Sequence, residues 1–158
     1  MDQEEIIRYV EETFSGVEVL RPSDGPGAGD TFFFFDPRGD LDPTRRMPFA
    51  TIVVKDYRGF DESSRLDRPG VFRLHVGVGR ETFRALFDDP SGKGGAGADE
   101  HDFAALDRLM PHPAYGAQWW VCVLNPSPTT FAAVKPLLEV AYARATARYA
   151  ASRTGSDG

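Results

Sequence analysis

Four phenylalanines in succession, Phe32 to Phe35, constrain this chain more than any other feature. Thr31 to Phe35 reads as a β-strand, and neighbouring side chains of a strand point to opposite faces. Both faces of this strand must therefore meet apolar partners or a pocket, so its sheet needs cover or a cleft on each side.

The rest of the chain supplies that cover. Residues 3–14 (QEEIIRYVEETF) place Ile6, Ile7, Val10 and Phe14 on one stripe at helical period, with acids in the first turn where the helix dipole favours them. Gly16 is predicted to close this helix as its C′ residue. Val17 to Leu20 is a short strand, followed by a turn-rich loop from Arg21 to Gly29 that is expected to be mobile. Asp36 to Asp40 ends the Phe strand. Phe49 to Lys55 (FATIVVK) and Val71 to Val78 (VFRLHVGV) are further strands, separated by a polar connection from Asp56 to Gly70. Unstructured connections of that length are uncommon in compact domains unless they are functional or disordered. Residues 80–87 form a short helix, residues 88–99 a flexible Gly- and Asp-rich stretch, and Phe103 to Met110 a brief helix stopped by Pro111 and Pro113. Gln118 to Leu124 is the last strand. Thr129 or Thr130 caps a C-terminal helix running to about Tyr149, which buries Phe131, Val134, Leu138 and Ala141.

This order belongs to one α+β unit over residues 1–151, a single antiparallel sheet of about five strands between an N-terminal and a long C-terminal helix. Residues 152–158 form a disordered tail. A chain of 158 residues with 41% hydrophobic and 27% charged residues suits one globular domain with a core of its own. Its one cysteine, Cys122, lies in the apolar run Trp119 to Leu124, where it reads as a small hydrophobe with no basic neighbour to activate it. The lone cysteine, the acidic first residues and the lack of a run of ~20 apolar residues point to a cytoplasmic protein without a membrane span. A net charge of −6 argues against nucleic acid as a partner.

Strand alternation locates the candidate site. In Val71 to Val78, Phe72, Leu74, Val76 and Val78 form a helix-packed face, while Val71, Arg73, His75 and Gly77 face the other way. Gln118, Trp120, Cys122 and Leu124 oppose Trp119, Val121 and Val123; Phe49, Thr51, Val53 and Lys55 oppose Ala50, Ile52 and Val54. The second face thus mixes aromatic rings with Arg73, His75 and Lys55. It is either a small-ligand cleft or a covered, dimerising surface with Arg73 paired to an acid. In Pro111-His112-Pro113-Ala114-Tyr115 the two prolines pin the backbone and pre-place the His112 ring, for proton transfer, ligand contact or a structural hydrogen bond.

No motif calls for a cofactor or a metal. Asp56, Asp61, Asp67, His75 and His112 lack ligand spacing, and no Gly-rich phosphate loop or G-x-S-x-G elbow is present. The helix opening after Gly77-Val78-Gly79 could hold an anion beside Arg80. Arg65, Arg68, Arg73, Arg80 and Arg84 interleave with Asp61, Glu62, Asp67 and Glu81, so salt bridging cancels the field an anionic polymer would need.

Phe32 to Pro37, Pro48 to Asp56, Leu66 to Leu74, Pro111 to Tyr115 and Trp120 to Pro126 together resemble an uncharacterised bacterial family, domain of unknown function 6194, over nearly the whole chain. That resemblance carries no activity and no catalytic residue. In element order the chain is also similar to the MmcQ/YjbR-like proteins. That similarity implies a CyaY-like α+β fold, and DNA binding by wing-like hairpins, which the acidic balance opposes.

Three functions follow. The first is a non-enzymatic binding or interaction module, possible as a homodimer, that uses the second sheet face. The second is a small anionic-ligand site or enzyme, with Arg73 as anchor, His75 or His112 moving a proton, and Lys55, Tyr115 and Trp120 in contact. The third is a nucleic-acid binder using Arg65 to Arg84.

Overall fold

A computed structural model describes residues 1–44, 46–87 and 101–156. Helix α1 spans Gln3–Thr13 and opens with a capping box, Asp2 accepting from the Glu5 N–H at 2.8 Å while the Glu5 carboxylate accepts from the Asp2 N–H. Strands β1 (Val17–Leu20), β2 (Thr31–Phe35), β3 (Ala50–Val53) and β4 (Arg73–Gly77) follow, then helix α2 (Arg80–Phe87). Strand β5 (Met110–Pro111), a 3-10 turn at Gly116–Gln118, strand β6 (Trp120–Leu124) and helix α3 (Pro128–Ser156) complete the order. Among the described residues the strands form one antiparallel six-stranded sheet in the order β1-β2-β3-β4-β6-β5.

Several expectations change. Phe49, one residue before β3, escapes that strand's alternation and joins the helix-packed core instead of facing the way of Thr51. Gly16 lies beyond the helix cap, which is Phe14; at φ +73° it turns the chain into β1, and a Cβ there would stand 2.9 Å from the Phe35 ring. The helix expected over Phe103 to Met110 does not form. Asp107 adopts φ +58°, Leu106 bridges to Leu124, and Met110–Pro111 adds to the edge of β6. The open hydrogen-bonding edge of β6 outweighs the local helical pattern there, and the sheet gains a sixth strand. Helix α3 is capped by Ser127, whose hydroxyl accepts from Thr130 N at 3.2 Å, rather than by a threonine, and it runs on past Tyr149 to Ser156. The Gly- and Asp-rich stretch 88–99 lies outside the described residues.

One face of the sheet is the core. Phe33, Ala50, Ile52, Leu74, Val76, Val121 and Val123 pack beneath Ile6 and Val10 of α1, Phe83 of α2 and Phe131, Val134, Leu138 and Ala141 of α3. The opposite face divides in two. Val53, Cys122 and Leu124 are covered by Leu66 and Met110, from the long connection after β3 and from β5. The other half, around Thr51, His75 and Trp120, stays open. Among the described residues no helix is long and apolar enough to cross a membrane.

Candidate functional site

The open half holds a cavity of about 540 Å³, within the range of small-molecule pockets. Sheet register builds its floor: Phe32 pairs with Thr51, Thr51 with His75, and Gly77 with Trp120, so these side chains share one face. Its wall is the turn Tyr57 to Asp61, closed by a Tyr57–Asp61 bridge with Gly59 at φ +75°. That turn presents Tyr57, Phe60 and Asp61 to the pocket, and Phe60 packs edge-on against Tyr115 at 5.6 Å. Met47 and Gln118 complete the rim.

Beneath this floor Arg73 is wholly buried. Its Nη1 donates to Asp61 at 3.1 Å and to Ser64 at 2.7 Å, its Nη2 donates to the other Asp61 oxygen, and its Nε donates to His75 Nε2 at 2.8 Å. A buried guanidinium is tolerated only when paired and hydrogen-bonded, and Asp61 supplies the charge while Ser64 and His75 take the remaining donors. Arg73 thereby latches the Tyr57 to Asp61 turn onto the sheet.

Arginine is always protonated, so the direction of its bond to His75 is fixed and Nε2 is the unprotonated nitrogen of that ring. His112 is the opposite tautomer. Its Nδ1 accepts the backbone N–H groups of Ala114 and Tyr115, each at 2.9 Å, which leaves the proton on a buried Nε2 that has no hydrogen-bond partner among the described residues. The two rings meet edge to face at 4.3 Å. Burial first, then the charge of Arg73, pushes the His112 pKa down to about 2. Burial, then the neighbouring His112 and Arg73, holds His75 well below its ordinary value. Both imidazoles are therefore neutral at pH 7 with their lone pairs engaged, and neither has a free basic nitrogen for proton abstraction. Burial pushes the Cys122 thiol up to about 12, far from a reactive thiolate.

Of the residues singled out from sequence, His75, Tyr115 and Trp120 line the pocket. Arg73 lies under it, and His112 lies behind His75, lining a smaller hollow of about 360 Å³ with Pro113 and Trp119. Lys55 is elsewhere: its Nζ binds the Ala28 carbonyl and Asp30, where Asp30 also takes the Val54 N–H and the Tyr57 hydroxyl, tying the Arg21 to Gly29 loop to the end of β3. Sequence reasoning missed Tyr57, Phe60 and Met47; two aromatic residues inside an otherwise polar connection were the available signal. Among the clustered arginines, Arg68 is held by the carbonyls of Arg65, Ser64 and Ala104 rather than by a carboxylate.

Fold and site define an α+β domain with an aromatic pocket on a part of its sheet that, among the described residues, no helix covers. The chain belongs to the family of unknown function DUF6194, whose model matches residues 1–154. Comparison with curated proteins and with solved structures gives no match.

Proposed function

We propose that this protein is a non-enzymatic binding module whose pocket takes an uncharged, largely apolar small molecule. The carrying observation is an aromatic cavity of about 540 Å³ whose one ionised lining group among the described residues, Asp61, is neutralised from beneath by Arg73. An uncharged ligand meets no uncompensated charge there, and Phe32, Tyr57, Phe60, Tyr115 and Trp120 offer it ring surface. An anionic ligand fits less well, because the guanidinium is fully buried and already held by Asp61, Ser64 and His75. Acid–base catalysis draws no support from two imidazoles whose lone pairs are occupied. A nucleic-acid role draws none from a chain of net charge −6. We place the protein in the cytosol, on its single buried cysteine, and near the MmcQ/YjbR-like proteins, on element order alone; such likeness transfers fold and not function.

The test uses N-phenyl-1-naphthylamine, a neutral aromatic dye. Binding to the native state raises the thermal midpoint and the dye's fluorescence, and Trp120→Ala abolishes the fluorescence gain while circular dichroism confirms that the variant is folded. No midpoint shift and no fluorescence gain at saturating dye, or a gain untouched by Trp120→Ala, would remove this reading.

A further inference from the structure

We infer that the ligand is a flat aromatic molecule bearing a neutral hydrogen-bond acceptor, a carbonyl above all, with its ring against Trp120 and its oxygen on His75. This rests on the pocket reading above and adds the chemistry the pocket selects.

The first ground is how Trp120 is held. It pairs across the sheet with Gly77, and a Cβ at Gly77 would stand 3.0 Å from both Cε2 and Cζ2 of the indole and 3.3 Å from Cη2. The indole is laid against the bare Gly77 backbone, a close approach that any larger residue blocks. It is pre-placed as a flat wall on which another ring can stack.

The second ground is the leftover proton on His75. Its Nε2 is committed to Arg73, so the neutral ring carries its hydrogen on Nδ1. Among the described residues no acceptor pairs with that N–H, which is not sealed off as His112 Nε2 is, and His75 lines the pocket. The same Arg73 bond that removes the lone pair therefore converts His75 into an obligate donor of fixed orientation. A donor at the floor of an apolar cavity is costly to leave unpaired and favours an occupant that supplies an acceptor.

The third ground selects a neutral acceptor over a carboxylate. Asp61 lines the same pocket, and Arg73 is already held by Asp61, Ser64 and His75 and lies out of a ligand's reach. With that cation already engaged, a carboxylate would lose its hydration here uncompensated, whereas a carbonyl oxygen accepts from His75 as a neutral group.

The test is a matched set of probes titrated into the full chain: naphthalene, 2-acetonaphthone and 2-naphthoate. The imidazole nitrogens of His75 are followed by long-range nitrogen–proton NMR. The ketone is expected to bind about 2- to 12-fold tighter than naphthalene, the worth of one net hydrogen bond, and the carboxylate more weakly than the ketone. The His75 Nδ1 signal moves with the ketone and stays put with naphthalene. Equal binding of naphthalene and ketone, tighter binding of the carboxylate, or a His75 signal unmoved at ketone saturation overturns the inference while leaving a pocket for uncharged molecules standing. Binding of neither neutral probe overturns both.

Discussion

Acidification from pH 7.5 to 5.0 is expected to destabilise this protein through two buried histidines. Both His75 and His112 have pKa values below the ordinary value of about 6.5, for reasons of burial and of the nearby Arg73 charge. The unfolded chain therefore takes up protons that the native one refuses. The stability this contributes is complete above the unfolded pKa and is lost as pH falls below it toward the native values. For one histidine of unfolded pKa about 6.5 that stays neutral when folded, the loss between pH 7.5 and 5.0 is about 2 kcal/mol, and for two about 4 kcal/mol. Against a typical total of about 5–15 kcal/mol this is a large fraction, equivalent to a drop in midpoint of roughly 8–16 °C for a chain of this size. The range ends at pH 5 because most carboxylates stay ionised down to that point.

Thermal or urea unfolding across the range measures the slope directly. The informative variants preserve the native bonds. In His112→Asn the amide oxygen takes the place of Nδ1 toward the Ala114 and Tyr115 N–H groups, and in His75→Gln it takes the place of Nε2 toward Arg73. Each variant is expected to lose about half of the pH-dependent change, about 2 kcal/mol. A midpoint that is flat from pH 7.5 to 5.0, or a folded His112→Asn variant with the full slope, would refute the assignment of both rings as neutral in the native state.

Two further predictions concern the latch and the wall. Asp61→Ala strands the buried Arg73 charge and frees the Tyr57 to Asp61 turn, so it is expected to cost about 3–5 kcal/mol in urea unfolding; a loss under 1 kcal/mol would show that the guanidinium finds other compensation. Gly77→Ala pushes a methyl group into the Trp120 indole and is expected to cost about 1–3 kcal/mol and to weaken dye binding together with stability; unchanged dye affinity would separate Trp120 from the pocket.

Much of the candidate site is legible in the sequence. The two-residue period of a strand is a local property, so the alternation in Val71 to Val78 is enough to put Arg73 and His75 side by side and to oppose them to Leu74 and Val76. The four phenylalanines likewise require a sheet with two demanding faces, and Phe33 goes to the core while Phe32 goes to the pocket. The long connection after β3 stands out in the sequence as unusual but not as the pocket's wall, because Tyr57 and Phe60 owe their place to a tight turn and a distant anchor rather than to periodicity.

What the amino-acid sequence determined by itself is therefore whatever follows from backbone period and local hydrogen bonding: the N-terminal helix with its Asp2 cap, the strands, and the sorting of side chains between two faces. Tertiary structure alone decided the rest. It turned Phe103 to Met110 from a plausible helix into an edge partner for β6, because a sheet edge satisfies its hydrogen bonds wherever chain is at hand. It sent Lys55 to Asp30 and Asp61 to Arg73, pairings across 25 and 12 residues that no local pattern encodes. That last pairing fixes the chemistry of the site. By committing the lone pair of His75 and cancelling its own charge on Asp61, a buried arginine turns an apparent anion site into a neutral aromatic pocket.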